Sequence, residues 1–214
     1  MRSKRLRLLA ATLLAGACEA TGGDAQVVAD LHQLQEQVKA ISLGLATVPL
    51  DDSEAADAAD AGGGEDFTER DRMALKVTLD FGRTLTPESY ASAVAYALSS
   101  DGVTIRWLIA RVCVERGHVD DAARLLVLDV SERPDQASYR IWKWWRFSFH
   151  RRPDFPALSL QFTDALLHQF ETGSSAAKLA VARIFEKGEA EAKLSRAAFE
   201  KAIGYRNNHN KASK

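Results

Sequence analysis

From Gln26 to Leu45 the apolar residues Val27, Leu31, Leu34, Val38, Ile41 and Leu45 recur alternately four and three positions apart. A 3.5-residue period puts all six on one stripe of a helix, while Gln33, Gln35, Glu36, Gln37 and Lys39 cover the other faces. The spacing predicts a short heptad helix over 26–45. Its stripe suits two uses, self-association as a homo-oligomer or folding back on the adjoining domain. The seam is too short to be stable alone, so one of these must bury it. The six apolar residues are therefore candidate oligomerisation positions.

From Phe67 onward helical periodicity alternates with turn signals, and no stretch shows the two-residue period of a strand. The turn signals are TPES at Thr86, SSDG at Ser99, ERGHVDD at Glu115, ERPD at Glu132, RRPDFP at Arg151, ETGSS at Glu171 and EKGEAE at Glu186. Thr86 precedes Pro87 and Glu88 and reads as a helix N-cap; Ser174 or Ser175 is placed to cap a helix over Ala176–Phe185. Ala110-Arg111-Val112 matches Trp145-Arg146-Phe147 at an offset of 35 and Ala182-Arg183-Ile184 at an offset of 72. Turns are expected after each, at Gly117, Arg152-Pro153 and Gly188, and Gly82 lies 35 residues before Gly117. A fixed period of this size predicts stacked helical hairpins. The expected fold is all-α, a helical-hairpin solenoid over 67–205 followed by a polar tail over 206–214.

The stretch between these regions, ATVPLDDSEAADAADAGGGED over 46–66, has no basic residue and three consecutive glycines. It cannot bury a core, and its charges repel, so an acidic flexible linker is expected. Upstream, Met1–Arg7 is positive and Leu8–Ala17 is a ten-residue apolar run ending in small residues, the pattern of a signal peptide over 1–17. That run is far short of the roughly 20 apolar residues needed to span a bilayer. The near-neutral total charge hides a division: Glu19–Arg72 carries 3 basic and 13 acidic residues, whereas Met73–Lys214 carries 21 basic and 16 acidic.

Ala15-Gly16-Ala17-Cys18 resembles a bacterial lipobox, in which a hydrophobic and two small residues precede a cysteine; Ala15 stands where that pattern usually has leucine. The resemblance implies lipid attachment to Cys18, a fatty-acyl (palmitate-type) modification and membrane anchoring through a tether over 18–25. Ala15-Gly16-Ala17 also suits an ordinary signal peptidase, which would cut the same bond and leave Cys18 unlipidated. Glu19 is not the aspartate associated with inner-membrane retention, so the resemblance implies an outer-membrane lipoprotein facing the periplasm.

Within the helical region, IARVCVERGHVDDAARLL resembles the middle of a tetratricopeptide repeat, with Ala110 and Ala122 at its small-residue positions and Gly117 at its turn. LAVARIFEKGEAEAKLSRAAFEKAIG, Leu179–Gly204, resembles a degenerate tetratricopeptide or Sel1-type repeat. The unit between departs from the pattern, with Arg152 where glycine is wanted and two prolines at the turn, so an irregular helical bundle is the alternative to a repeat array. The resemblance implies an array that binds a protein or peptide partner, not a chemical activity.

Three of the four tryptophans fall in SYRIWKWWRFSFHRRPDF, Ser138–Phe155. One helical stripe cannot hide all of its rings. Arg140, Lys143, Trp144, Arg146, Phe147 and Arg151 are candidate binding residues, because exposed tryptophan and arginine dominate interface energetics. A central helix touching neighbours on two sides, with its arginine stems lying along apolar surface, accounts for the same pattern. Cys113, inside an apolar run, reads as a core residue, and two cysteines make no disulfide framework. The five histidines are scattered, with no H-E-x-x-H, P-loop or G-x-S-x-G. No catalytic residue, metal, cofactor or nucleic-acid partner is expected. The function expected is an anchored protein–protein interaction scaffold in cell-envelope assembly or maintenance. The alternative is a helical enzyme acting on a cell-envelope polymer.

Overall fold

A computed structural model describes residues 22–50, 68–134, 152–192 and 196–212. These residues form eight helices and no strand: α1 Gly22–Ser42, α2 Glu69–Thr84, α3 Pro87–Leu98, α4 Arg106–Glu115, α5 Val119–Glu132, α6 Phe155–Thr172, α7 Ser175–Ala192 and α8 Arg196–Ala212. Each helix packs chiefly on helices close to it in the chain. α1 lies on α2 and α3; α2 and α3 lie on α4; α3 also meets α5; α4 pairs with α5; α5 meets α6 and α7; α6 meets α7; and α7 pairs with α8. Sequential packing of this kind is consistent with an α-solenoid.

The helix starts follow the sequence. Thr68 and Thr86 each cap a helix through a capping box, receiving the backbone N–H of Asp71 and Ser89, both at 3.2 Å. The Asp71 and Ser89 side chains in turn accept from the cap residues' own N–H groups, at 2.9 and 2.8 Å. Ser174 performs the capping at α7, where Ala177 N–H donates to its hydroxyl at 3.3 Å. Gly117, at φ 80°, turns the chain between α4 and α5; an L side chain is disfavoured there.

Two other glycines of the period are helical, Gly82 and Gly188, the second of them expected at a turn. Gly82 lies in the last turn of α2, where a Cβ would come within 2.6 Å of the Val112 side chain, so glycine lets α2 and α4 approach closely. Gly188 lies inside α7, which runs on to Ala192. A single glycine costs a helix only about 1 kcal/mol, and the surrounding alanine, glutamate and lysine are strong helix formers. Of the three turns anticipated from the 35-residue period, those at Gly117 and Arg152-Pro153 are present. The polar tail expected over 206–214 is helical to Ala212. It is held there by the Arg206–Glu186 ion pair and by Tyr205 packing edge-on to Phe170 at 5.4 Å.

The core is continuous from α1 to α8 and includes Leu31, Ile41, Ala93, Ile105, Leu108, Leu125, Leu126, Phe162, Phe185 and Ala202. The heptad stripe is part of it. Leu31, Leu34, Val38 and Ile41 are buried by the chain's own helices, Val27 is half-buried, and Leu45 is exposed. Of the two uses open to the stripe, α1 takes the fold-back. Self-association through these residues would require α1 to leave its groove. The stripe stops short of Leu45 because α1 ends at Ser42 and Gly44, at φ 73°, reverses the chain. Ala46, Val48 and Leu50, expected in the linker, are partly buried against the core.

Candidate functional site

The aromatic and basic candidates Arg140, Lys143, Trp144, Arg146, Phe147 and Arg151, together with Cys18, lie outside the described residues. The structure does describe the ground beside them. Arg152 donates to Glu115 at 3.1 Å and to Asp154 at 2.8 Å, linking the end of α4 to the start of α6. The Asp154 hydrogen bond holds the Arg152 guanidinium above its usual range, and Arg152 holds the Asp154 carboxyl below its own. Arg111 is buried and ion-paired with Glu115 on the next turn of α4. Burial lowers its pKa to about 10, against the opposing pull of Glu115. Glu115 thus receives two arginines at the edge of the segment that carries the tryptophans.

A second grouping, missed at the sequence level, is buried where α3, α4 and α5 meet. Arg106, fully buried, donates Nε to Ala97 O at 2.9 Å, Nη2 to Ser99 O at 3.1 Å and Nη1 to Glu132 at 2.8 Å. Asp129, also buried, lies 3.9 Å from Arg106 and is paired with Arg133. Arg133 in turn donates to Val103 O at 2.9 Å. A guanidinium offers five donors in a planar fork, which matches the unpaired carbonyls at a helix end. The two carboxylates here converge on arginines that already engage them, so the grouping is an internal clamp.

The same device recurs. Arg116 Nη1 donates to Gly82 O and Leu85 O, both at 3.1 Å, closing the end of α2, and Arg70 Nη1 donates to Ser42 O at 3.2 Å, closing α1. Each of these three helix ends is closed by an arginine from further along the chain.

The third grouping surrounds Tyr90. Its hydroxyl donates to Asp121 at 2.9 Å, its ring stacks on His118 at 4.5 Å, and the Arg116 guanidinium lies 5.5 Å from the ring centroid. Burial, with Cys113 and Asp121 adding to it, drives the Tyr90 phenol above its normal range. Burial likewise pushes the Cys113 thiol up to about 12. Such a thiol stays protonated and unreactive. On the opposite side of α3, the Tyr96 hydroxyl lies 3.1 Å from His32 Nδ1 and donates to Gln35 at 3.4 Å, tying α1 to the body.

Among the described residues no group of three or more His, Cys, Asp or Glu side chains is placed to hold a metal ion. No helix among them is long and apolar enough to cross a membrane. What the described residues define is an all-helical body whose helix ends are closed by arginines, of which Arg106 is fully buried. Compared with protein-family models, with curated proteins and with solved structures, the chain matches none.

Proposed function

We propose that this protein is a lipid-anchored periplasmic interaction scaffold whose helical array, of tetratricopeptide-like type, binds a protein or peptide partner in cell-envelope assembly or maintenance. The observation that carries the reading is the order of packing, in which each helix chiefly contacts helices one or two places away in the chain. Such stacking leaves a long side surface, which repeat arrays use for binding. Ala110 and Ala122 are fully buried in the adjacent helices α4 and α5, and Gly117 turns the chain between them. These are the positions the repeat resemblance requires to be small or left-handed. The Ala15-Gly16-Ala17-Cys18 sequence supports the anchor, and the aromatic–basic segment after α5 supports the binding role.

Affinity capture from detergent-solubilised membranes tests it, comparing the intact protein with Cys18→Ser and Trp144→Ala. The expected result is loss of membrane association with partners retained for Cys18→Ser, and loss of a specific co-purifying protein for Trp144→Ala. The same partners for Trp144→Ala as for the intact chain would remove the aromatic segment from the binding role. Cleavage of an envelope polymer by the purified protein would replace the scaffold reading with the enzymatic one.

A further inference from the structure

The acidic stretch reads from sequence as a spacer between an anchored helix and a distant domain. Its two ends are fixed to the same surface. On the near side Gly44 reverses the chain so that Leu45 N–H reaches Ala40 O at 2.8 Å, and Val48 N–H donates to Met73 Sδ at 3.2 Å. Leu50 is partly buried against the core. On the far side Thr68 opens α2 with its capping box. Meanwhile α1 is held down by four buried side chains, by Tyr96 bonding to His32 and Gln35, and by Arg70 closing its end. The chain on either side of residues 51–67 therefore belongs to one helical body.

We infer that α1 and the helices beyond residue 67 are anchored as one body, which sits directly at the membrane. This rests on the proposed lipid at Cys18. The only chain between anchor and body is then Cys18 to Gly22, which spans at most about 14 Å when fully extended. A flexible 17-residue stalk would instead add a root-mean-square reach of about 23 Å, rising to about 32 Å if doubled in length. α1 begins at the anchor and runs antiparallel to α2, since its last residue, Ser42, meets Arg70 in the first turn of α2. The end of the body that carries the α2–α3 turn at Leu85-Thr86 accordingly faces the bilayer. The partner such a body engages is one presented at the same membrane surface.

Two measurements on the full mature chain decide this. The first uses a Cys18→Ser form spin-labelled through Ala25→Cys and Glu88→Cys, at two exposed positions in α1 and α3. Doubling residues 51–67 lowers the effective concentration of α1 at its groove by only roughly threefold, too little to undock a buried seam. The label-to-label distance is thus expected to stay single and unchanged, whereas Leu34→Asp with Ile41→Asp broadens it. A distance that lengthens with the insertion, or that ignores the two aspartates, overturns the inference. The second places a donor at Glu88→Cys in the lipidated chain on vesicles carrying an acceptor lipid. Equal energy transfer for the natural and lengthened chains supports a body at the membrane, and a fall with the longer chain overturns it. A chain that acquires no lipid sinks the anchoring and with it the membrane position, while the spin-label distance still decides whether α1 belongs to the body.

Discussion

Replacing Arg106 by methionine keeps most of the buried stem and removes the guanidinium, so it isolates the polar contribution of the clamp. Two backbone carbonyls lose a charged donor: Ala97 O at 2.9 Å, at a buried site, and Ser99 O at 3.1 Å, at a half-buried one. An unsatisfied buried acceptor costs about 1–3 kcal/mol. Glu132 is 44% exposed at its side chain and rehydrates, so its share stays in the surface range of about 0–1 kcal/mol. Asp129 keeps Arg133. With about 0.5–1.5 kcal/mol for the half-buried Ser99 bond, the total comes to about 2–5 kcal/mol. For a chain of this length that lowers the melting temperature by about 4–20 °C. The assay is urea unfolding followed by circular dichroism, with Arg124→Met as the reference, since Arg124 meets Asp121 at 3.4 Å in an exposed pair. Added salt should weaken the Arg124 effect and leave that of Arg106 nearly unchanged. An Arg106→Met loss no larger than that of Arg124→Met would falsify the clamp as a stabilising element.

Two glycines give opposite outcomes for the same substitution. A Cβ on Gly102 would lie 2.6 Å from Ala97 Cα and closer still to Tyr96 O, so Gly102→Ala should destabilise by about 1–3 kcal/mol in urea titration. Gly204 is mid-helix with nothing within 4 Å of where an added methyl would stand, so Gly204→Ala should stabilise by about 0.5–1 kcal/mol, and a loss there would refute the open space. The Cys113 thiol, raised from 9.0 to about 12, favours the protonated form in the fold, so its contribution is complete below pH 9 and is lost as pH rises toward 12. Tyr90, also raised, adds a loss that begins near pH 10. Unfolding free energy should therefore fall from about pH 9 upward, and Cys113→Ala should delay the start of the fall; equal slopes in both proteins between pH 9 and 10 would contradict this. Tyr90→Phe removes one half-buried hydrogen bond to Asp121 and should cost about 0.5–1.5 kcal/mol at pH 7.

Helix content and most helix boundaries were legible because they depend on local signals. Thr86-Pro87 and Ser174 announce their helices through capping chemistry that involves only the next three residues. Gly117 needed only its own backbone geometry. The 35-residue period was less dependable, since glycine has two uses that look alike in a sequence: Gly117 turns the chain, while Gly82 makes room for Val112. The heptad stripe fixed which residues of α1 are buried and left open what buries them, because a seam of leucines fits a second copy as well as a neighbouring groove. Arg106 was invisible for another reason. Its partners are backbone carbonyls of Ala97 and Ser99, and carbonyls carry no sequence signature. A trace remained in RWLIARVCV, where two arginines punctuate a run otherwise suited to burial; Arg106 and Arg111 are both buried. The grouping of Tyr90, Asp121 and His118 joins positions about thirty residues apart and had no local signal.

The arginine closures bear on how such an array holds together. In an ideal repeat protein each unit satisfies its own helix ends, and stability is a sum of unit and interface terms. Here α1 ends on Arg70 of α2, α2 ends on Arg116 beyond α4, and α3 ends on Arg106 of α4, which is itself joined to α5 through Glu132. The three closures differ in burial: Arg70 meets Ser42 O at an exposed site where water replaces it readily, the Arg116 bonds are half-buried, and Arg106 reaches Ala97 O at a buried one. A buried carbonyl that loses such a partner has no water to replace it. The end of α3 therefore stays satisfied only when α4 is folded against it, since a misplaced Arg106 leaves that acceptor and a charge in an apolar interior. The consequence is that α3 to α5 should unfold as one cooperative block, to which α1 is tied chiefly by its buried apolar stripe.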